Sequence, residues 1–118
     1  MTHKTLEAWK ASMDLTVDIY NITREFPKEE LYSLVSQIRR SAVSIPSNIA
    51  EGCARQTTKE TIQFLYISVG SISELETQLL ISQELNFIKN TEELFNKLNS
   101  VKKLILGLIK FFKAKEKK

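Results

Sequence analysis

The side chains best able to do chemistry lie between positions 37 and 76. Gln37, Ser41, Ser44, Asn48, Glu51 and Arg55 recur at intervals of three and four residues. At roughly 100° per residue they share one narrow band of a helix. Arg39 and Arg40 flank the apolar stripe of that helix from its other side, and the next segment offers Glu74 and Glu76 beside Ser68, Gly70, Ser71 and Ser73. Carboxylates, guanidinium groups and hydroxyls so spaced suit two roles. They can form cross-helix ion pairs and hydrogen bonds that fix register, or they can line a polar pocket or channel in an assembly. Carboxylates alone make no acid–base site without a substrate cavity.

Other chemistries lack their residues. The chain has one histidine, His3, and one cysteine, Cys53. A di-iron bundle needs Glu-x-x-His pairs on facing helices, and zinc needs clustered Cys and His. Neither arrangement is present. Cys53 continues an apolar stripe and reads as a small core residue. Gly52, Gly70 and Gly107 are isolated, so no phosphate-binding loop is formed. Gly52 is expected to end or bend its helix, and Gly70 to permit close helix packing. The sequence therefore predicts no enzyme, no cofactor, no metal and no small-molecule substrate.

The second candidate is electrostatic. From Lys97 to Lys118 there are eight lysines and one glutamate, a local charge of +7. The whole chain carries +3, so the remainder carries −4. Lys102, Lys103, Lys110, Lys113, Lys115, Lys117 and Lys118 are candidate contacts for the phosphates of RNA or DNA. The structural alternative is a solvated helix end whose lysines suit the dipole. Phe111 and Phe112 among them read as packing residues.

Four amphipathic segments must position these groups. The first spans about Thr5 to Arg24 and stops at Phe26-Pro27. The second spans about Leu31 to Ala54, with the stripe Leu34, Ile38, Ala42, Ile45, Ile49 and Cys53. Pro46 lies inside it and predicts a kink or a short interruption. The third opens on Thr57-Thr58-Lys59-Glu60, a capping-box pattern, and carries Leu65, Val69, Ile72 and Leu79. The fourth opens on Asn90-Thr91-Glu92-Glu93, a second such pattern, and carries Leu94, Leu98, Val101, Ile105, Leu108 and Phe112 at heptad spacing. Short connections predict an all-α, antiparallel up-down-up-down four-helix bundle over residues 1–113, with 114–118 as a basic tail. With 118 residues, three Gly and two Pro, one domain is expected and β-architectures are disfavoured. No apolar run approaches a membrane span and no signal segment opens the chain, so a cytoplasmic protein without a membrane partner is expected.

The first helix has one apolar stripe too many. Leu6, Trp9, Met13, Val17 and Tyr20 form one, while Ala8, Leu15, Ile19, Ile22 and Phe26 form another on the order of 150° away. The fourth helix shows Leu104 and Phe111 on one flank and Phe95, Leu106 and Ile109 on the other. A bundle helix needs one apolar stripe, and surplus apolar surface marks an interface. The second stripe, Ala8, Leu15, Ile19, Ile22 and Phe26, is assigned to contact with further copies of the chain.

The run from Gln37 to Gly52, QIRRSAVSIPSNIAEG, and the run from Phe64 to Glu76, FLYISVGSISELE, are long and distinctive. With Trp9 and the Phe26-Pro27 joint they resemble the bacterial 23S rRNA intervening-sequence proteins, from about Leu6 to Phe112. One departure is Ser33, where glycine is usual; it touches a helix start. The resemblance implies a four-helix bundle assembling as a five-fold ring, with no established activity. That family is in turn similar to the accessory bundle proteins of diversity-generating retroelements, which form pentameric barrels and bind nucleic acid. The expectation is a non-enzymatic homo-oligomer, pentameric by resemblance, with RNA or DNA as its ligand. The alternative is a protein–protein adaptor with no nucleic-acid ligand.

Overall fold

A computed structural model describes residues 2–117, and every regular element within them is helical. A short 3-10 turn, His3–Thr5, precedes α1 (Glu7–Thr23); a second, Lys28–Glu30, precedes α2 (Leu34–Cys53). α3 (Thr58–Glu84) and α4 (Glu92–Glu116) complete the fold. The molecule measures 51 × 25 × 21 Å. Its four helices pack as α1 on α2, α2 on α3, α3 on α4 and α4 on α1, so α1 and α3 lie on one diagonal. This is the all-α four-helix bundle expected from the stripes.

The core is built from those stripes. Ile38, Ala42, Ile45 and Ile49 of α2 are fully buried, as are Leu65 and Leu79 of α3, with Ile72 nearly so. α4 contributes Leu94, Leu98, Val101 and Ile105, then Ile109, while Leu108 and Phe112 are only partly buried. A straight helix drifts about 20° per heptad from a strict seven-residue repeat. That drift carries Ile109 inward in place of Leu108.

Paired hydrogen bonds fix two helix directions. Along α2 and α3 the partners are Gly52 with Thr61, Ile45 with Ser68, Ser44 with Ser71 and Ser41 with Glu74. One number falls as the other rises, which is the order of antiparallel neighbours. Thr16 with Ala42 and Thr23 with Arg39 give the same order for α1 and α2.

Pro46 does not interrupt α2, which is continuous from Leu34 to Cys53. The proline lacks the N–H that would bond the Ala42 carbonyl. That oxygen instead faces the Thr16 hydroxyl of α1 at 3.2 Å.

The two capping patterns part company. Thr57 caps α3, its hydroxyl oxygen accepting from the Glu60 N–H at 3.2 Å and donating to the Glu60 carboxylate at 2.8 Å. Thr91 makes no side-chain cap to α4. It follows Asn90 at φ 54° and itself sits at φ −89°, ψ −1°. This is helix-like backbone, whereas a capping side chain needs extended geometry. Ser33, at φ −123°, has no need of glycine's left-handed freedom.

The packing role expected of Gly70 belongs to Gly52, which also lies in the last turn of α2. A Cβ on Gly52 would lie 3.1 Å from the Thr61 carbonyl oxygen and 3.1 Å from the Phe64 Cβ. Gly52 is therefore the close-packing residue, at the α2–α3 crossing. A Cβ on Gly70 would meet nothing within 4 Å, so Gly70 serves no packing inside the chain.

Candidate functional site

The polar residues of α2 and α3 do not gather into one site. They divide into three local groups.

The first group is the α2–α3 seam. The Ser44 and Ser71 hydroxyls lie 2.8 Å apart. The Asn48 amide donates to the Ser44 carbonyl at 2.8 Å and approaches its hydroxyl at 2.9 Å. Ser41 donates to the Glu74 carboxylate at 3.3 Å, and buried Ser68 donates to the Ile45 carbonyl at 2.9 Å. Small side chains let the helices approach, and each hydroxyl then needs a partner. Beside this seam opens a shallow polar depression lined by Gln37, Arg40, Ser41, Ser44, Glu74 and Gln78. The Gln78 Oε1 is buried there without a hydrogen bond.

The second group centres on Arg39, which turns to the other side. Its Nε donates to the Thr23 hydroxyl at 2.9 Å, and its guanidinium lies over the Tyr20 ring at 4.6 Å. It thereby ties the end of α1 to α2. The third group ends α2: Arg55 pairs with Glu51 at 3.1 Å and covers the Phe64 ring at 4.6 Å. Arg40 and Glu76 make no hydrogen bond or ion pair among the described residues.

These contacts are bundle joints. Among the described residues the one carboxylate that a seam hydroxyl reaches is Glu74, through Ser41, and the His3 imidazole packs on the Trp9 ring. Among the described residues no three of His, Cys, Asp or Glu cluster to hold a metal. Burial pushes the Cys53 thiol above its usual range, which disfavours the nucleophilic thiolate.

The lysines of α4 do form a surface. Lys110, Lys113 and Lys117 line a shallow groove with Tyr66, Leu106, Ile109 and Ala114. Lys113 donates to the Tyr66 hydroxyl at 2.6 Å. Lys115 instead lies near the rings of Phe111 and Phe112. Lys103 is exposed and Lys102 half-buried. Among the described residues none of these six lysines pairs with a carboxylate; Lys118 lies outside those residues. α4 runs to Glu116, so most of the expected tail is helix. Tyr66 escaped the sequence reading. Its position on α3 opposite the lysines of α4 depends on the pairing of those two helices.

The interface assignment on α1 is corrected. Ala8, Leu15, Ile19 and Phe26 are buried in the chain's own core, and Ile22 packs against it. The uncovered stripe is the other one. Met13, Val17 and Tyr20 are exposed, and Leu6 and Trp9 are partly covered. Tyr20 continues into a shallow depression with Leu31, Tyr32, Val35, Ser36, Arg39, Arg40 and Val43. Tyr32 is 92% exposed. Together these large apolar side chains leave a continuous face of α1 and α2 open to solvent.

No described helix is long and apolar enough to cross a membrane. A comparison with curated proteins returns no match. Among solved structures, the chain resembles a Bacteroides thetaiotaomicron protein of unknown function from the S23 ribosomal protein family. The two share 25% identity over 87% of this chain and 98% of that one, with a TM-score of 0.80. The comparison thus agrees with the fold over nearly the whole of both chains and names no activity. Residues 4–107 match the family described as 23S rRNA-intervening sequence protein. The match takes in the α2–α3 seam and the whole uncovered stripe of α1, so the chain belongs to the 23S rRNA-intervening sequence protein family.

Proposed function

We propose that this chain is a non-catalytic, cytoplasmic bundle that assembles with copies of itself and presents the basic end of α4 to nucleic acid. The observation that carries this reading is the uncovered α1–α2 face, with Val17 57% and Tyr32 92% exposed. Covering such side chains stabilises an assembly by about 25 cal/mol per Å² of apolar surface removed from water. Five copies is the number suggested by the family resemblance.

Nucleic-acid binding is supported by the lysines of α4, which lack carboxylate partners among the described residues and flank Tyr66. An assembly repeats the cluster once per copy and raises the local field. The test is titration of the purified protein with structured RNA and with duplex DNA at low and moderate salt. Binding that weakens with salt, and weakens further when Lys110, Lys113 and Lys117 become Gln, is the expected result. Absence of binding at low salt overturns the nucleic-acid reading and leaves an adaptor for proteins.

A further inference from the structure

Gly70 is hard to explain within one chain. It sits in the middle of a 27-residue helix, is exposed, and has open space where a side chain would be. Glycine there weakens the helix and gains no packing in return. Apolar side chains share its face of the helix, along with Glu74. Ile67, Ile81 and Leu85 are each close to half exposed. With Gly70 and Glu74 they stand at separations of three, four, seven and four residues, which is heptad spacing. At roughly 100° per residue all five fall within about 60° of the α3 surface, turned away from its buried stripe. α3 therefore carries a second seam with a gap at Gly70 and one acid.

α1 carries the counterpart. Met13, Val17 and Tyr20, followed by Arg24, are spaced four, three and four, and all four are exposed. Arg39 stacks on Tyr20 at the edge of this stripe, and Arg40 lines the depression beside it. The stripe on α1 thus ends in Arg24 and is bordered by Arg39, while the stripe on α3 contains Glu74; Arg40 lies near both, in one depression with Glu74 of its own chain. The two helices lie on one diagonal of the bundle and cannot pair within one chain.

We infer that the α1 stripe of one copy docks on the α3 stripe of the next, with Gly70 admitting the neighbouring helix. Matching repeats and Arg24 set against Glu74 select a second copy as the occupant, and Gly70, unlike Gly107, lies within the matching seam. The contact joins two different surfaces, so it propagates head to tail and closes into a ring or extends. This inference rests on the self-association reading and specifies its faces.

The test uses two variants of the full chain. Val17→Asp blocks the α1 stripe, and Gly70→Arg fills the gap on α3. Both positions face away from the core, so circular dichroism should show native helicity and melting; Met13→Asp and Ile81→Asp probe the same stripes if either variant melts early. Each variant alone is expected to be one chain by light scattering at micromolar concentration. Mixed, they are expected to form a two-chain complex and nothing larger, because each retains the face that the other lacks. Variants that keep the wild-type mass, or a mixture that stays monomeric, overturn the face assignment while leaving wild-type self-association intact. A monomeric wild type overturns the self-association reading itself.

Discussion

The Thr16 hydroxyl of α1 points at the Ala42 carbonyl oxygen of α2 at 3.2 Å, the oxygen that Pro46 leaves without its helical partner. The same hydroxyl lies 2.8 Å from the Ser12 carbonyl, so one proton serves two acceptors. A proline placed mid-helix thereby becomes a joint between helices. Thr16→Val should cost about 1–2 kcal/mol in urea unfolding, since it strands a partly buried carbonyl. In a Pro46→Ala background the Ala42 carbonyl regains its own N–H, and the cost of Thr16→Val should fall. Equal costs in both backgrounds would show that the contact contributes nothing.

The glycines give a contrast within one molecule. Gly52→Ala must push its Cβ against the Thr61 carbonyl oxygen, a backbone atom with little room to yield. A loss of about 1–3 kcal/mol is expected, as for overpacking elsewhere. Gly107→Ala meets open space and should raise stability by about 0.5–1 kcal/mol through helix propensity alone. Thermal unfolding of the two variants against wild type decides the sign of each.

Cys53 should react slowly with alkylating agents in the native state and quickly once the chain is unfolded. Burial raises its thiol pKa above the ordinary value. For an acid held protonated by folding, the unfolded state loses its proton first as pH rises. The thiol thus favours unfolding progressively above the unfolded value, about 8.5 in model peptides, and has no effect well below it. Stability measured across that range should decline less in Cys53→Ala than in wild type.

If RNA or DNA is bound through α4, the logarithm of affinity should fall linearly with that of salt concentration. Each phosphate contact removed should reduce the slope by about 0.9 for duplex DNA and about 0.7 for a single strand. Lys113→Gln is the sharpest single case because Lys113 is held by Tyr66. An unchanged slope in that variant would remove Lys113 from the interface.

Much of the bundle was legible because periodicity reports burial directly. The α4 heptad from Leu94 to Ile105, the α2 stripe from Ile38 to Ile49 and the Thr57 cap all appear where spacing placed them. The interface residues were not legible, for a physical reason. Two apolar stripes on α1 satisfy the same periodicity, and only the docking of α2 and α4 determines which faces inward. Leu15 and Ile19 proved fully buried while Val17, between them, is exposed. The polar residues make cross-helix hydrogen bonds, one of the two roles open to them, but in separate groups. Arg39 and Glu74 are separated by the body of α2, a fact carried by side-chain direction and not by composition. Gly70 reads as a packing residue from sequence, and only the empty space beside it shows otherwise.

The central claim is that the uncovered stripe of α1 is covered by another copy of the chain. Light scattering coupled to gel filtration, at micromolar protein, tests it most directly. The account predicts a mass that is a multiple of 13.6 kDa, fivefold if the family resemblance extends to ring size, and a collapse to one chain in Val17→Asp. A wild-type mass of 13.6 kDa across that range would contradict it.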